Sequence, residues 1–297
     1  MKIGFIGAGK VGFSLGRYFA EHGLEVTGYY DSEMEAAKEA AEFTKTKHYR
    51  KLEQIVCDSD ALFLTVPDGR ISTVWNNIKP MPLEGRIICH CSGALTARDA
   101  FSGISKTGVL CASVHPLFAV SDKYHSYKEL DHSYFTLEGD KDCVEQLKLM
   151  FTGFGNGVKI LESSKKTLYH AAAAICSNLV TALADESIHM MENCGFQEEM
   201  ARDVLKPIMC GNLEHVAQNG TKNSLTGPVE RGDLETIQKH LECMEGQEDK
   251  ILYSLLSKRL TAIAEKKNPD RDYTSLKCFL EEVLQDGYRI MSTGGNE

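Results

Sequence analysis

Near the amino terminus, Gly7-Ala8-Gly9-Lys10-Val11-Gly12 spaces three glycines as G-x-G-x-x-G between the apolar run KIGFI and the amphipathic stretch VGFSLGRYFAEHG. Glycine at those three places suits the binding of a pyrophosphate. The first allows a tight turn out of a strand, the second lets phosphate approach the backbone, and the third lets helix and strand pack closely. The start of the helix then offers free N–H groups and the positive end of its dipole. A merely tight βα turn would not require all of these together. Asp31 ends the next apolar run. Its carboxylate can accept hydrogen bonds from ribose hydroxyls and would repel a 2′-phosphate, and the following Ser32 and Glu33 supply no arginine, so residue chemistry leans towards NAD(H) over NADP(H). Capping of the helix that begins near Glu33 explains Asp31 equally well.

In open α/β sheets, ligands lie beyond the carboxyl ends of strands. Three such ends carry polar groups: Thr65-Val66-Pro67-Asp68, where Val66, Pro67 and Asp68 would pass beside the cofactor, His90-Cys91-Ser92-Gly93, and Val114-His115-Pro116-Leu117. For Ser92 and His115, turn chemistry and function weigh about evenly. A long Ala-rich stretch after residue 165 places His170, Ala174 and Asn178 four apart, with Ser177 and Thr181 nearby. On one continuous helix these would share a face, and His170 and Asn178 could donate hydrogen bonds to a carbonyl oxygen that gains charge on accepting hydride. A buried His and Asn satisfying each other is the plainer explanation. Farther on, Leu225-Thr226-Gly227-Pro228-Val229-Glu230-Arg231-Gly232-Asp233 is dense in turn formers. It reads as a helix–helix connection with Asp233 as N-cap, or as a segment whose Arg231 grips a substrate carboxylate.

The elements that must hold these residues follow from periodicity. Up to about Glu162, short apolar runs alternate with amphipathic stretches, the rhythm of βαβ units, and strands are expected at KIGFI, LEVTGYYD, ALFLTVPD, GRIICHCS, GVLCASVHP, SYFTLEGD and NGVKILE. From residue 163 only helical periodicity remains, including one helix expected to run unbroken from about 165 to Gly195. The predicted fold is an α/β Rossmann domain with a mostly parallel sheet over residues 1–162 and an all-α domain over 163–297, serving substrate binding or dimerisation. The last six residues, STGGNE, look disordered.

A formal net charge of −9 opposes a nucleic-acid surface. The ten cysteines show no zinc-type spacing, so no metal site is expected, and they read as mostly buried, reduced thiols. In IICHCSG, strand alternation sends Cys89 and Cys91 one way and His90 the other. No signal peptide precedes the glycine loop and no apolar run approaches a membrane span, so a cytoplasmic protein acting on a small molecule is expected.

Taken together, GAGKVG, TVPD, HCSGA, SVHPLF, YHAAAAICSNLVTAL and LTGPVERGD resemble, over essentially the whole chain, the two-domain family that joins a Rossmann-like domain to a DUF2520-type helical half. That family belongs to the 6-phosphogluconate dehydrogenase-like reductases. The resemblance implies NADPH as cofactor, a homodimer, and possible kinship with the alternative ketopantoate reductases of pantothenate synthesis. The better-known ketopantoate reductases carry a lysine and two asparagines four apart; here those places hold His170, Ala174 and Asn178. Ser92 is similar to the serine of the hydroxyacid dehydrogenase turn, and His115-Pro116 to the His-Pro turn of prephenate dehydrogenases. The set expected to handle protons and orient a carbonyl is therefore His170, His115, Ser92 and Asn178, with Arg231, Ser177 and Thr181 on the substrate. The implied activity is NAD(P)H-dependent reduction of a small 2-oxo acid such as 2-dehydropantoate. The rival from another class is a non-catalytic dinucleotide-binding redox sensor or scaffold.

Overall fold

The structure, a computed structural model, describes residues 1–293 and divides into two compact units, Met1–Ala184 and Asp185–Glu297. In the first, eight strands form one sheet: β1 (Lys2–Ile6), β2 (Glu25–Tyr30), β3 (Lys47–His48), β4 (Ala61–Leu64), β5 (Ile87–His90), β6 (Leu110–Pro116), β7 (Tyr134–Gly139) and β8 (Gly157–Ile160). Their spatial order is β3-β2-β1-β4-β5-β6-β7-β8, parallel throughout except for the antiparallel β6–β7 pair. The chain reverses direction across the sheet between β1 and β4, which is where such folds open a ligand crevice.

Six helices belong to this sheet: α1 (Lys10–Glu21), α2 (Met34–Thr44), α3 (Leu52–Asp58), α4 (Asp68–Ile78), α5 (Ala97–Ala100) and α6 (Lys141–Gly153). Strand β4 shows why helices must cover both faces. All four of its residues are fully buried, with Ala61 and Phe63 in the core under α1, α2 and α6, and Leu62 and Leu64 in the core under α3, α4 and α5. The same alternation holds in β5: Cys89 joins the first core, as Cys91 does from just beyond the strand, while His90 stacks edge-on against Phe101 at 5.3 Å. The short β3 and helix α3 carry too little periodicity to announce themselves in sequence.

Beyond Ile160 the described residues form only helices: α7 (Lys166–Cys176), α8 (Asn178–Asn193), α9 (Glu198–Ser224), α10 (Pro228–Arg231), α11 (Leu234–Cys243), α12 (Gln247–Lys267) and α13 (Thr274–Thr293). The long helix expected after residue 165 is two helices, because Ser177 leaves helical geometry at φ −125°, ψ −81°. The division into compact units falls at 184/185, later than the change from mixed to helical structure, since α7 belongs with the sheet. Within the second unit, residues such as Val229, Ile237, Tyr273 and Leu280 build a separate small core. Asp233 caps α11, its carboxylate accepting from the Thr236 amide at 3.1 Å.

Three sequence expectations need correction. Cys57, Cys176, Cys194, Cys210, Cys243 and Cys278 are exposed, four of them on faces of the long helices α7, α8, α9 and α13 or at their ends, so an apolar neighbourhood in sequence did not mean burial. Ser163–Asn193 does have the length and mean hydropathy, 1.3, of a membrane span, although the break at Ser177 divides it. Of STGGNE, Ser292 and Thr293 lie at the end of α13, and the remaining four residues fall outside the described chain.

Asn156, at the entry to β8, ties the first unit together from inside. It is 5% exposed, accepts from the Tyr18 hydroxyl at 2.7 Å, and donates to the carbonyls of Leu130 (2.7 Å) and Ser133 (3.1 Å). Replacing Asn156→Ala strands these buried groups and is expected to lower unfolding free energy by about 3 kcal/mol. Urea titration of the two proteins checks this.

Candidate functional site

The crevice at the carboxyl end of the sheet begins with the glycine loop. Gly7 has φ +109°, and a Cβ there would sit 2.7 Å from the backbone of Thr65. A Cβ on Gly12 would lie 2.3 Å from the Gly7 carbonyl oxygen and 2.4 Å from Thr65 Oγ1, whose hydroxyl donates to that same carbonyl at 2.7 Å. These two glycines are required by the protein's own packing. Gly9 is different: its φ of −69° suits any residue, and its Cβ position meets nothing within 4 Å. Nothing in the protein forbids a side chain there, so the space matches a guest that needs the bare backbone. Gly9 is also the N-cap of α1, where no side chain caps the helix. The open cradle therefore fits a pyrophosphate by its donors as well as its shape.

The cleft of about 500 Å³ that opens here is lined by Gly7, Gly9, Asp31, Ser32, Val66 and Pro67 from the expected cofactor set, together with Leu52, Arg70, Thr73 and Asn77. Ala8, Lys10, Val11, Gly12 and Asp68 do not line it. Ala8 is buried and its amide donates to Asp31 Oδ2 at 2.7 Å, Lys10 and Val11 open α1, and Gly12 packs against Thr65. Asp31 does not cap α2, whose N-cap is Glu33 with no side-chain cap. Oδ1 accepts from the Glu33 amide at 2.9 Å, the turn-forming role, while the half-buried carboxylate also faces the cleft. Leu52 and Arg70 went unnoticed in the sequence because the short α3 and the exposed start of α4 gave no pattern pointing at the loop.

Further along the same edge, Asp68 opens α4 and accepts from the Ser92 hydroxyl at 2.6 Å. That Ser92 oxygen also accepts from the amides of Ala94 (3.2 Å) and Leu95 (3.0 Å), so its single proton goes to Asp68 and its lone pairs to the turn after β5. Gly93 follows. A Cβ on Gly93 would meet His170 Cδ2 at 2.4 Å and His115 Nε2 at 2.8 Å, so the two histidines converge on one bare turn. Their rings stand edge-to-face with centroids 6.0 Å apart. His115 Nδ1 shares a 2.8 Å hydrogen bond with the Tyr169 hydroxyl. Burial, and next the charge of Lys166, pull the His115 pKa down to about 4, so the imidazole is neutral at neutral pH.

Lys166 was missed in the sequence. It is 1% exposed, and its ammonium donates to Ser113 Oγ at 2.6 Å and to the Ser92 carbonyl at 3.0 Å. Burial pulls its pKa down to about 8. The available signal was spacing: Lys166, Tyr169 and His170 fall on one helical face at i, i+3 and i+4, and Ser113 and His115 on one strand face at i and i+2.

His170, His115 and Ser92 are thus brought together, and Asn178 is not placed with them. Because the helix breaks at Ser177, Asn178 starts α8 as an exposed residue, within 3.2 Å of the Ser177 hydroxyl. Ser177 and Thr181 are exposed as well, Ser177 donating to the Ala173 carbonyl at 2.8 Å. Arg231 belongs to the second unit, where its exposed guanidinium stands 3.9 Å from Asp233.

Comparison with known proteins accords with this architecture. Residues 1–116 match the Rossmann-like domain family and residues 133–260 match DUF2520, a domain of unknown function. No curated protein matches the sequence. Among solved structures, protein TM1727 from Thermotoga maritima is 28% identical, with 90% of this chain and 99% of that one covered at a TM-score of 0.70. Bacteroides fragilis BF3122, described as an NADP oxidoreductase, is 19% identical, covering 88% and 98% at 0.70. Plasmodium falciparum pyrroline carboxylate reductase, solved with NADP bound, is 14% identical, covering 97% of each chain at 0.58.

The two kinds of glycine should respond differently to a single methyl group. Gly9→Ala is expected to leave thermal stability unchanged while weakening dinucleotide binding by about tenfold or more, a loss of about 1.4 kcal/mol. Gly12→Ala is expected to destabilise the fold by about 2 kcal/mol through overpacking. Calorimetric titration with NADH and NADPH, alongside thermal melts, separates the two outcomes.

Proposed function

We propose, with a Rossmann-like domain joined to a DUF2520 domain as the premise, that the chain is an NAD(P)H-dependent reductase of a small carbonyl compound. The observation that carries this is the convergence of His115 and His170 on the bare Gly93 turn, on the same sheet edge as the cradle around Gly9. Solved proteins of the same fold described as an NADP oxidoreductase and as a pyrroline carboxylate reductase support a reductase in general terms.

In this role Gly7, Gly9 and the first turn of α1 hold the pyrophosphate, and Asp31 accepts from a ribose. When bound, a dihydronicotinamide supplies hydride to an electron-poor carbon. The chain's own residues manage the oxygen. His115 donates a hydrogen bond from Nε2 as charge gathers there, and His170, beside it, delivers the proton that completes the alcohol. Ser92 and Asp68 hold the Gly93 turn in place rather than touch the substrate, because the serine proton is already given away. A 2-oxo acid such as 2-dehydropantoate is the proposed substrate class.

A homodimer is also proposed. Leu168, Ile175 and Leu179, on α7 and the start of α8, are each at least half exposed, apolar side chains that a second copy would cover. Light scattering after gel filtration should return twice the 32.9 kDa chain mass, and Leu168→Glu with Ile175→Glu should return a monomer.

For the activity, purified protein with NADH or NADPH and a panel of 2-oxo acids including 2-dehydropantoate should consume the reduced cofactor, followed by its absorbance. His170→Gln is expected to lower kcat by about a hundredfold or more. Cofactor binding without turnover of any 2-oxo acid, imine or ketone would favour the sensor or scaffold role.

A further inference from the structure

Helix α7 meets the sheet edge in register. Lys166 reaches Ser113 and Tyr169 reaches His115, so residues three apart on the helix meet residues two apart on β6. The repeat distances make this possible: three helical steps rise about 4.5 Å and two strand steps about 6.6 Å, close enough for flexible side chains to span. The next residue, His170, then lies over Gly93. The Lys166 ammonium is held by two neutral acceptors, the Ser92 carbonyl and the Ser113 hydroxyl, and forms no ion pair among the described residues. Around it stand Glu138 from β7, Asp68 from α4, Cys91 and His90 at the end of β5, and His115 on β6. Glu138 is engaged elsewhere, accepting from the Ala97 amide at 2.8 Å and from the Ser163 hydroxyl at 2.6 Å. Asp68 is engaged with Ser92.

A buried cation without a contacting counter-ion is costly, and it is retained here behind the one turn on which two histidines converge. We propose that Lys166 is the positioning residue of the site: it ties α7 to the Ser92–Gly93 turn and sets a positive charge behind His115 that adds to burial in holding its imidazole neutral. We assign the donor of the Nδ1 bond to the Tyr169 phenol, which burial keeps protonated, and with that assignment the ring proton sits on Nε2, the atom that faces Gly93. Lys166 acts through His115 and does not itself reach a substrate. Only the identity of the ligand rests on the reductase role; the charge arrangement stands without it.

The direction of the effect follows from charge. A nearby cation disfavours imidazolium, so removing it raises the His115 pKa from about 4 towards the ordinary 6.5, while burial holds it below that value. His170 also repels a proton on His115, and Asp68 attracts one, so both remain as internal references in the variant. In ligand-free protein, histidine ring signals followed by NMR against pH should show His115 unprotonated down to about pH 5 in the wild type. In Lys166→Met its midpoint should rise by about one pH unit.

If Lys166→Met does not fold, the wild type still decides: His115 ring nitrogens should respond to a deprotonation near pH 8, that of Lys166. A His115 midpoint near 6.5 in the wild type, an unchanged midpoint in the variant, or no response near pH 8 overturns the proposal. Failure of turnover with every carbonyl tested would instead count against the reductase role and leave this result intact.

Discussion

The candidate site depends on the docking of α7 against β6. A helix that follows a sheet can lie against it in many registers, and apolar contacts alone would not choose among them. Three polar bonds do: the Lys166 ammonium on Ser113 and on the Ser92 carbonyl, and the Tyr169 hydroxyl on His115. A buried ammonium that loses its acceptors is left with its full desolvation cost, so a slip of one residue along the helix is penalised far more than a lost apolar contact. Fixing that register puts His170 over Gly93 and sets the geometry of the histidine pair. The same turn is held from its other side by Ser92, Asp68 and the amides of Ala94 and Leu95.

At the other end of the crevice the constraint is steric. Gly7 and Gly12 are bare because Thr65, just beyond β4, lies against them, and Gly9 is bare although nothing lies against it. Close packing of Gly7 and Gly12 against Thr65 thus positions the loop, and the loop leaves its one unexplained space facing the cleft. Structure and function meet in that difference, since a protein that bound nothing there would gain by giving Gly9 a side chain.

Much of this was legible in the residues. GAGKVG after an apolar run identified strand, loop and helix, and the continuous apolar runs ALFL and IICH foretold strands covered on both faces. His115, Ser92 and His170 were found from strand ends and helix spacing, and they do gather at Gly93. Lys166 was passed over despite sharing a helical face with His170, because a lysine beginning an amphipathic helix ordinarily faces water, and the position of Ser113 across the chain turns it inward. Asn178 seemed paired with His170 by its spacing of eight, but that holds only on an unbroken helix, and Ser177 breaks it. Nor could the exposure of Cys176, Cys194 and Cys210 be read from an apolar neighbourhood, since an exposed helix face can have the composition of a core.

A crystal structure of the protein with NADH tests the central claim most directly. The account predicts the pyrophosphate against the backbone of Gly9, the adenosine in the cleft beside Asp31, Leu52 and Arg70, and the nicotinamide ring at the Gly93 turn facing His115 and His170. A dinucleotide bound with its nicotinamide away from the histidine pair, or a cleft that takes up none at saturating concentration, would contradict it.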